Sequence, residues 1–277
     1  MLALRCTVRG CTEILAQDEA RLRCLRGHAF DRAREGYWNL LQPQDRRSLD
    51  AGDRDAAVAA RRAWLARGFT DGLVAELASR IDALELPPAA SAIDVGCGEG
   101  TLTARLFASR DVRGCGVDLS TTAVRLAARL APELTWIVAN ADRGLPFADG
   151  SVDLALSIFG RRPASELRRV VADSGTLLVV VPAADDLIEL REASQGRGLR
   201  RERAGDALAA LAPHFELVAA STWRHRARHD RGASIDALAM SYRGVRERER
   251  ERLSAVSELD VTLAADILAL VPRVGLR

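Results

Sequence analysis

Between positions 92 and 181, short apolar runs alternate with amphipathic segments at a regular spacing. The apolar runs cover 92–95, 114–117, 135–138, 153–157 and 176–181, four to six residues each, the length of buried strands. The segments at about 101–109, 121–130 and 164–172 place their apolar residues on one helical face. Strand–helix alternation of this kind predicts a parallel sheet covered by helices on both sides. Ahead of it, 55–67 reads as a helix stopped by Gly68, and 72–84 as a second one ended by Pro87-Pro88. Beyond it, 185–206 reads as an inserted helix and loop, and 214–220 and 259–268 as two last strands with a polar, Arg-rich hairpin or loop region between them. The run RERERER at 246–252 reads as a solvated helix surface.

The first 45 residues break this pattern. They are short on helical periodicity but hold Phe30, Tyr37 and Trp38, the last two read as zinc-module core rather than base platforms, and the spacing Cys6-x4-Cys11-x12-Cys24-x3-His28. Two short chelating pairs of sulfur and imidazole ligands suit a tetrahedral zinc with all four positions filled, hence a structural site. A module of this size cannot bury enough apolar surface alone, so a metal staple is physically reasonable. The plain alternative is three separate thiols and a loop histidine. The expected division is a zinc-binding module at 1–45, a helical linker at 46–85 with a polar start (46–55), and a Rossmann-like α/β domain at 86–277.

Composition narrows the function classes. With 48% hydrophobic and 28% charged residues, the 277-residue chain has the balance of a globular protein. No apolar run reaches the roughly 18–20 residues of a membrane helix, and no signal-peptide core is visible, so no membrane partner is expected. All 40 cationic residues are Arg, which excludes a lysine nucleophile or Schiff base, and a net charge of +2 argues against a globally basic nucleic-acid coat. An odd count of five cysteines suits a reducing, cytoplasmic setting.

The chemistry concentrates after the first long-range strand, in Asp94-Val-Gly96-Cys97-Gly98-Glu99-Gly100-Thr101. Glycines between a strand and a helix permit positive φ and close approach of backbone to a ligand. The spacing is G-x-G-x-G, with Thr101 where a dinucleotide fingerprint has its last glycine, and this suits S-adenosylmethionine better. Asp118 ends the next strand, where a carboxylate can accept ribose hydroxyls, and Asn140-Ala141-Asp142 ends the third, where it can meet an adenine. A surface acid at Asp118 and a helix cap at Asp142 are the structural alternatives. Asp94 is read as orienting the loop or the methionine amine.

Taken together, these motifs resemble one family, the 23S rRNA guanine-N1 methyltransferases, which includes macrolide-resistance members of the tylosin type. The resemblance starts with the Cys6/Cys11/Cys24/His28 cluster and runs through His28-Ala-Phe30-Asp31, Arg34-Glu-Gly36-Tyr37-Trp-Asn39-Leu-Leu41, Asp50-Ala-Gly52-Asp53 and Ala60-Arg61-Arg62-Ala-Trp64-Leu65. It continues in the glycine turn, in Thr176-Leu-Leu-Val-Val-Val-Pro182 with Leu187-Ile-Glu189-Leu190, and in Leu211-Ala-Pro213-His214-Phe215-Glu216. It implies a class I methyltransferase domain preceded by a zinc module for RNA recognition, structural zinc, S-adenosylmethionine as cofactor, and methylation of a guanine in a 23S rRNA hairpin near the peptide tunnel. It also places Asp186 beside the cofactor, where relatives carry His. Other departures are Thr70 (beside Phe69) in place of Tyr, Asp173-Ser174-Gly175 in place of a Pro-Gly-Gly turn, and Met240-Ser241-Tyr242-Arg243 in place of a Met-x-Pro motif.

Guanine N1 carries a proton, so methyl transfer needs a base; Asp186, Asp142 and a water held by Ser157 are the candidates. Phe159 is a candidate base platform or a core ring, and Arg61 and Arg62 are candidate phosphate contacts or surface cations. A small-molecule methyltransferase that retains the zinc module fits the departures, whereas the intact glycine turn and Asp118 argue against a non-enzymatic RNA-binding or interaction protein with a vestigial pocket. A homodimer completing the cleft is compatible with either enzymatic reading.

Overall fold

The computed structural model describes residues 2–18, 20–42, 53–240 and 245–273; positions 46–52 of the linker's polar start, Asp50-Ala51-Gly52 among them, and Ser241-Tyr242-Arg243 lie outside them. The N-terminal part forms a three-stranded antiparallel sheet of β1 (Ala16–Asp18), β2 (Arg21–Arg23) and β3 (Ala29–Asp31). A fourth short strand, β4 (Trp38–Asn39), leaves this sheet and pairs in parallel with β7 (Thr135–Val138). That pairing ties the module to the edge of an eight-stranded sheet.

The centre of the large sheet is the predicted parallel array: β5 (Ala90–Val95), β6 (Val112–Asp118), β7, β8 (Val152–Ile158) and β9 (Val171–Pro182). Two antiparallel strands, β10 (Phe215–Asp230) and β11 (Glu258–Pro272), close the other side, giving the order β10-β11-β9-β8-β5-β6-β7-β4. From β5 the chain builds outward through β6 and β7, then returns to β8 on the opposite flank. The strand order therefore reverses between β5 and β8, where open α/β sheets hold ligands beyond their carboxyl ends.

Helices α1 (Asp55–Leu65), α2 (Asp71–Asp82), α3 (Thr101–Phe107), α4 (Thr121–Leu130) and α5 (Ala164–Val170) follow the amphipathic segments. Leu73, Leu77 and Ile81 of α2 pack with Leu106, Phe107, Val124 and Trp136 on one face of the sheet. On the other face Leu4, Leu22, Phe30 and Trp38 are buried in the same cluster as Ile93, Val117, Ile137 and Phe147. The small module is thus a piece of the main core, with Trp38 in the position of core ring that its sequence predicts. The inserted region forms α6 (Ile188–Gln195) and, after a loop, α7 (Ala204–Leu211). No helix among the described residues is long and apolar enough to cross a membrane.

Three local expectations are corrected. β10 and β11 run 16 and 15 residues, well past the expected ends at 220 and 268, and β10 reaches into the stretch read as a polar loop. As an edge strand β10 exposes most of its side chains, so Arg224, Arg226 and Arg228 alternate with Trp223, His225 and Ala227 and the apolar signal disappears. Between the two strands lie α8 (Arg231–Ala239) and α9 (Glu247–Ser254); in α9 only Leu253 is buried, as a solvated helix surface requires. Asp173-Ser174-Gly175, read as a turn, sits inside β9, where the β8–β9 register shifts between Val152 and Leu154.

Candidate active site and metal centre

Cys6, Cys11, Cys24 and His28 converge so that their ligand atoms all lie within 4.8 Å of one another. Cys11 Sγ is 3.9 Å from Cys24 Sγ, and His28 Nδ1 is 3.5 Å from Cys6 Sγ and 3.4 Å from Cys24 Sγ. A tetrahedral zinc with bonds of about 2.3 Å to sulfur and about 2.0 Å to nitrogen implies edges of about 3.8 Å and about 3.5 Å. The donor set therefore fits zinc in both chemistry and spacing. The residues that bring it together are local: Cys24 N donates to His28 O, Cys11 N to Val8 O, and Gly10 and Gly27 turn the chain at positive φ. Burial and the neighbouring sulfurs push the Cys6 thiol up to about 12, a cost that ligation of a cation by its thiolate offsets.

The glycine turn leaves β5 at the reversal point. Gly96, Gly98 and Gly100 all have positive φ, and Gly96 N donates to Val117 O. The three glycines serve different ends. A Cβ on Gly96 would lie 3.0 Å from Gly160 Cα, and one on Gly98 would lie 3.1 Å from an Arg61 nitrogen. Gly100, the residue before α3, is the most confined: a Cβ there would stand 2.6 Å from both Ala127 Cβ and the Trp136 ring. Gly100→Ala is expected to cost about 1–3 kcal/mol from overpacking, with a further left-handed-backbone cost of about 1 kcal/mol or more. Urea denaturation checks this through a lowered midpoint at unchanged slope.

Carboxylates organise the same loop. Asp118 accepts from Gly98 N at 2.9 Å and Ser120 N at 2.8 Å, so it fixes the turn whatever else it binds. Asp94, 2% exposed, accepts from Thr103 Oγ1 at 2.5 Å while its Oδ1 has no partner; burial, with the Asp118 and Glu99 charges behind it, pushes it up to about 7. Glu99 receives Arg61 Nε at 2.8 Å, and the same guanidinium holds Asp53 at 2.5 Å. Arg61, a phosphate candidate by sequence, is thereby committed to the glycine loop; Arg62 is exposed.

A cavity of about 710 Å³ opens beside this loop. Gly96, Gly98, Glu99 and Asp186 line it, whereas Asp94 and Gly100 are buried and do not, and Thr101 begins α3. Asp118 and Asp142 stand at the ends of neighbouring strands. Asp142 is half exposed and paired to Arg161 at 3.2 Å, and its backbone N–H donates to Asn140 Oδ1. Asp186 accepts from Ala264 N at 2.9 Å, and burial pushes it up to about 6 against the pull of that N–H, Arg191 and Arg203. Phe159 lines the cavity at φ 56° with 47% of its surface exposed, so it is not a core ring. Ser157 is fully buried and spends its hydroxyl on Arg161 O.

Several lining residues have no site role that the sequence alone assigns. Trp64 and Thr70 present Nε1 and Oγ1 that are buried without a partner, and Arg191, Arg201 and Arg203 come from the inserted region. Behind Trp64 and Phe69 lies His229, fully buried, 4.4 Å from the Phe69 ring by centroids, with both nitrogens unpartnered and burial pushing it down to about 4. Sequence spacing gives no sign of these contacts, since His229 reaches Phe69 and Trp64 from β10, at the far edge of the sheet.

A glycine loop at the reversal of a parallel sheet, with carboxylates at successive strand ends, is the architecture of a Rossmann-like methyltransferase. Residues 92–178 match the family described as "Methyltransferase domain", and residues 4–49 match "RlmA, N-terminal", a zinc ribbon. The chain is 36% identical over 269 residues to "23S rRNA (guanine(748)-N(1))-methyltransferase" of Streptomyces fradiae, covering 94% of each. It is also 36% identical to "Putative 23S rRNA (guanine-N(1)-)-methyltransferase" of Micromonospora griseorubida, covering 96% of each. Among solved structures, the YcgJ protein of Bacillus subtilis superposes with a TM-score of 0.53 at 17% identity, over 71% of this chain and 97% of that one, a likeness of fold. The chain belongs to the 23S rRNA guanine-N1 methyltransferase family. It is an S-adenosylmethionine-dependent methyltransferase with a structural zinc ribbon, and the match through both parts favours this family over the small-molecule and non-enzymatic readings.

Proposed function

We propose that this enzyme methylates N1 of a guanine in 23S rRNA in the cytoplasm. The observation that carries the reading is the 36% identity with the Streptomyces fradiae enzyme over 94% of both chains. In this reading Gly96, Gly98, Glu99, Gly100 and Thr101 cradle the cofactor, Asp118 takes the ribose, Asp142 the adenine and Asp94 orients the loop. The unpartnered Trp64 Nε1 and Thr70 Oγ1 fit the same group, because they are buried donors in want of an acceptor on the cavity wall.

S-adenosylmethionine, when bound, supplies a methyl group already activated on a sulfonium. The protein's task is then to hold guanine N1 in line with it and to receive the N1 proton. Phe159 faces the cavity at its open side and stacks the splayed base. Asp186 is the proton acceptor of choice, since it lines the cavity, whereas Asp142 is half exposed and ion-paired outside it. The Asp186 carboxylate would receive the proton of guanine N1, which leaves that nitrogen free to take the methyl group the cofactor would supply.

Purified protein incubated with labelled S-adenosylmethionine and 23S rRNA is expected to label one guanine. Reverse transcription then stops at that base, because an N1-methyl group blocks pairing. Absence of label from both naked RNA and ribosomal subunits overturns the reading.

A further inference from the structure

Four arginines line one side of the cavity: Arg162, two residues past Gly160 at the end of β8; Arg191 on α6; and Arg201 and Arg203 in the segment leading to α7. None has an ion-pair partner among the described residues. Arg162 spends one nitrogen on Gly160 O at 2.8 Å, and Arg191 Nε is buried with no acceptor at all. The nearby acids are committed elsewhere. Asp185 pairs with Arg224, Glu189 accepts both the N–H and the hydroxyl of Thr262, and Glu202 takes the backbone N–H groups of Ala204 and Gly205 at the start of α7. Among the described residues, Asp186 lines the same cavity as the cluster and forms no close ion pair with it. Burial, with Arg203 behind it, lowers the Arg162 pKa; burial, with Arg201 and Arg203 behind it, lowers that of Arg191 against the pull of Asp186 and Glu189.

Uncompensated guanidinium groups around a cavity raise the free energy of the empty site and lower it again when an anion enters. The forked donors of arginine match phosphate oxygens. The segment is held in place to do this, since Arg201 N donates to Ala184 O just past β9. Phe159 stands three residues before Arg162, so a base on that ring brings its own backbone to the cluster.

We propose that Arg162, Arg191, Arg201 and Arg203 form a phosphodiester-binding subsite that seats the RNA backbone next to the nucleotide held in the cavity. The assignment rests on the RNA reading above and names the part of the site that grips the substrate rather than the cofactor. Because Arg201 and Arg203 are exposed, the double variant Arg201→Gln/Arg203→Gln removes charge without disturbing the core.

The test compares this variant with the wild-type protein, using a transcript of 23S rRNA as probe across a salt series. Each lost phosphate contact is expected to reduce the slope of log affinity against log salt by about 0.7–0.9. RNA affinity at 0.1 M salt falls about tenfold or more, and affinity for S-adenosylmethionine changes less than about twofold. An unchanged slope and affinity overturn the subsite and leave the cluster as solvated surface. A loss of cofactor affinity with an unchanged slope overturns it too, and assigns the arginines to the cofactor's carboxylate. If the wild-type protein itself neither binds nor labels the RNA, the substrate reading falls and this subsite with it, an outcome visible before any variant is made.

Discussion

Removing the zinc, by a strong chelator or by Cys24→Ser, is expected to melt far more than the small loop that binds it. Three remaining ligands leave an incomplete tetrahedral site, and structural zinc binding is worth about 10–16 kcal/mol in isolated zinc-finger modules. Here the ribbon is also a wall of the main core. Leu4, Leu22, Phe30 and Trp38 are buried with the sheet's own Ile93, Val117 and Ile137, and β4 caps the sheet beyond β7. Each of those side chains contributes about 1.5–3 kcal/mol on burial, so loosening the ribbon exposes one face of the methyltransferase domain. The melting temperature is expected to drop by about 10 °C or more. RNA methylation should be lost while the cofactor cavity, built on the other side of β5, retains part of its affinity. Metal analysis of the purified protein should give one zinc per chain. A zinc-free protein with an unaltered melting curve would show that the four ligands are ordinary buried thiols and a loop histidine.

What the sequence reveals about this molecule depends on how local the cause is. The strands from β5 to β9 are legible because both of their faces are covered, leaving uninterrupted apolar runs between helices of ordinary period. The zinc ligands are legible because chelation is set by spacing within 23 residues, from Cys6 to His28. The true length of β10 is hidden because an edge strand with a wet face alternates Arg with Trp, His and Ala and looks like a loop. Asp173-Ser174-Gly175 looks like a turn because its residue types favour one, yet Gly175 is there for another reason: a Cβ on it would lie 2.9 Å from Val152 O of the neighbouring strand. The all-arginine composition masks the cavity cluster, since Arg162 and Arg203 are indistinguishable in sequence from the surface arginines around them. Arg61 is the converse case. Its role becomes visible only when folding brings Glu99 and Asp53 to either side of one guanidinium.

Asp186→Asn is expected to lower kcat by about 100- to 10,000-fold, the range of a lost general base, while affinity for S-adenosylmethionine changes little. The amide keeps an oxygen to accept from Ala264 N, so position is conserved and only proton acceptance is removed. The pH dependence follows from the same carboxylate. Burial holds Asp186 at about 6, above its ordinary value, and the base acts only when ionised. In the wild-type enzyme log kcat should therefore rise with unit slope as pH approaches about 6, then level off where the carboxylate is fully ionised. The variant should lose that acid limb and show a flat, low rate across the same window. Single-turnover rates at saturating cofactor and RNA separate this chemistry from binding, and calorimetry gives the cofactor affinity. If instead kcat survives at saturation and cofactor affinity drops tenfold, Asp186 holds the cofactor where relatives use histidine, and the proton of guanine N1 leaves by another route. The electrostatics of the cavity make the first result the expected one. Arg191 and Arg203 stabilise the ionised carboxylate without forming a close ion pair with it, so it stays free to accept a proton near neutral pH.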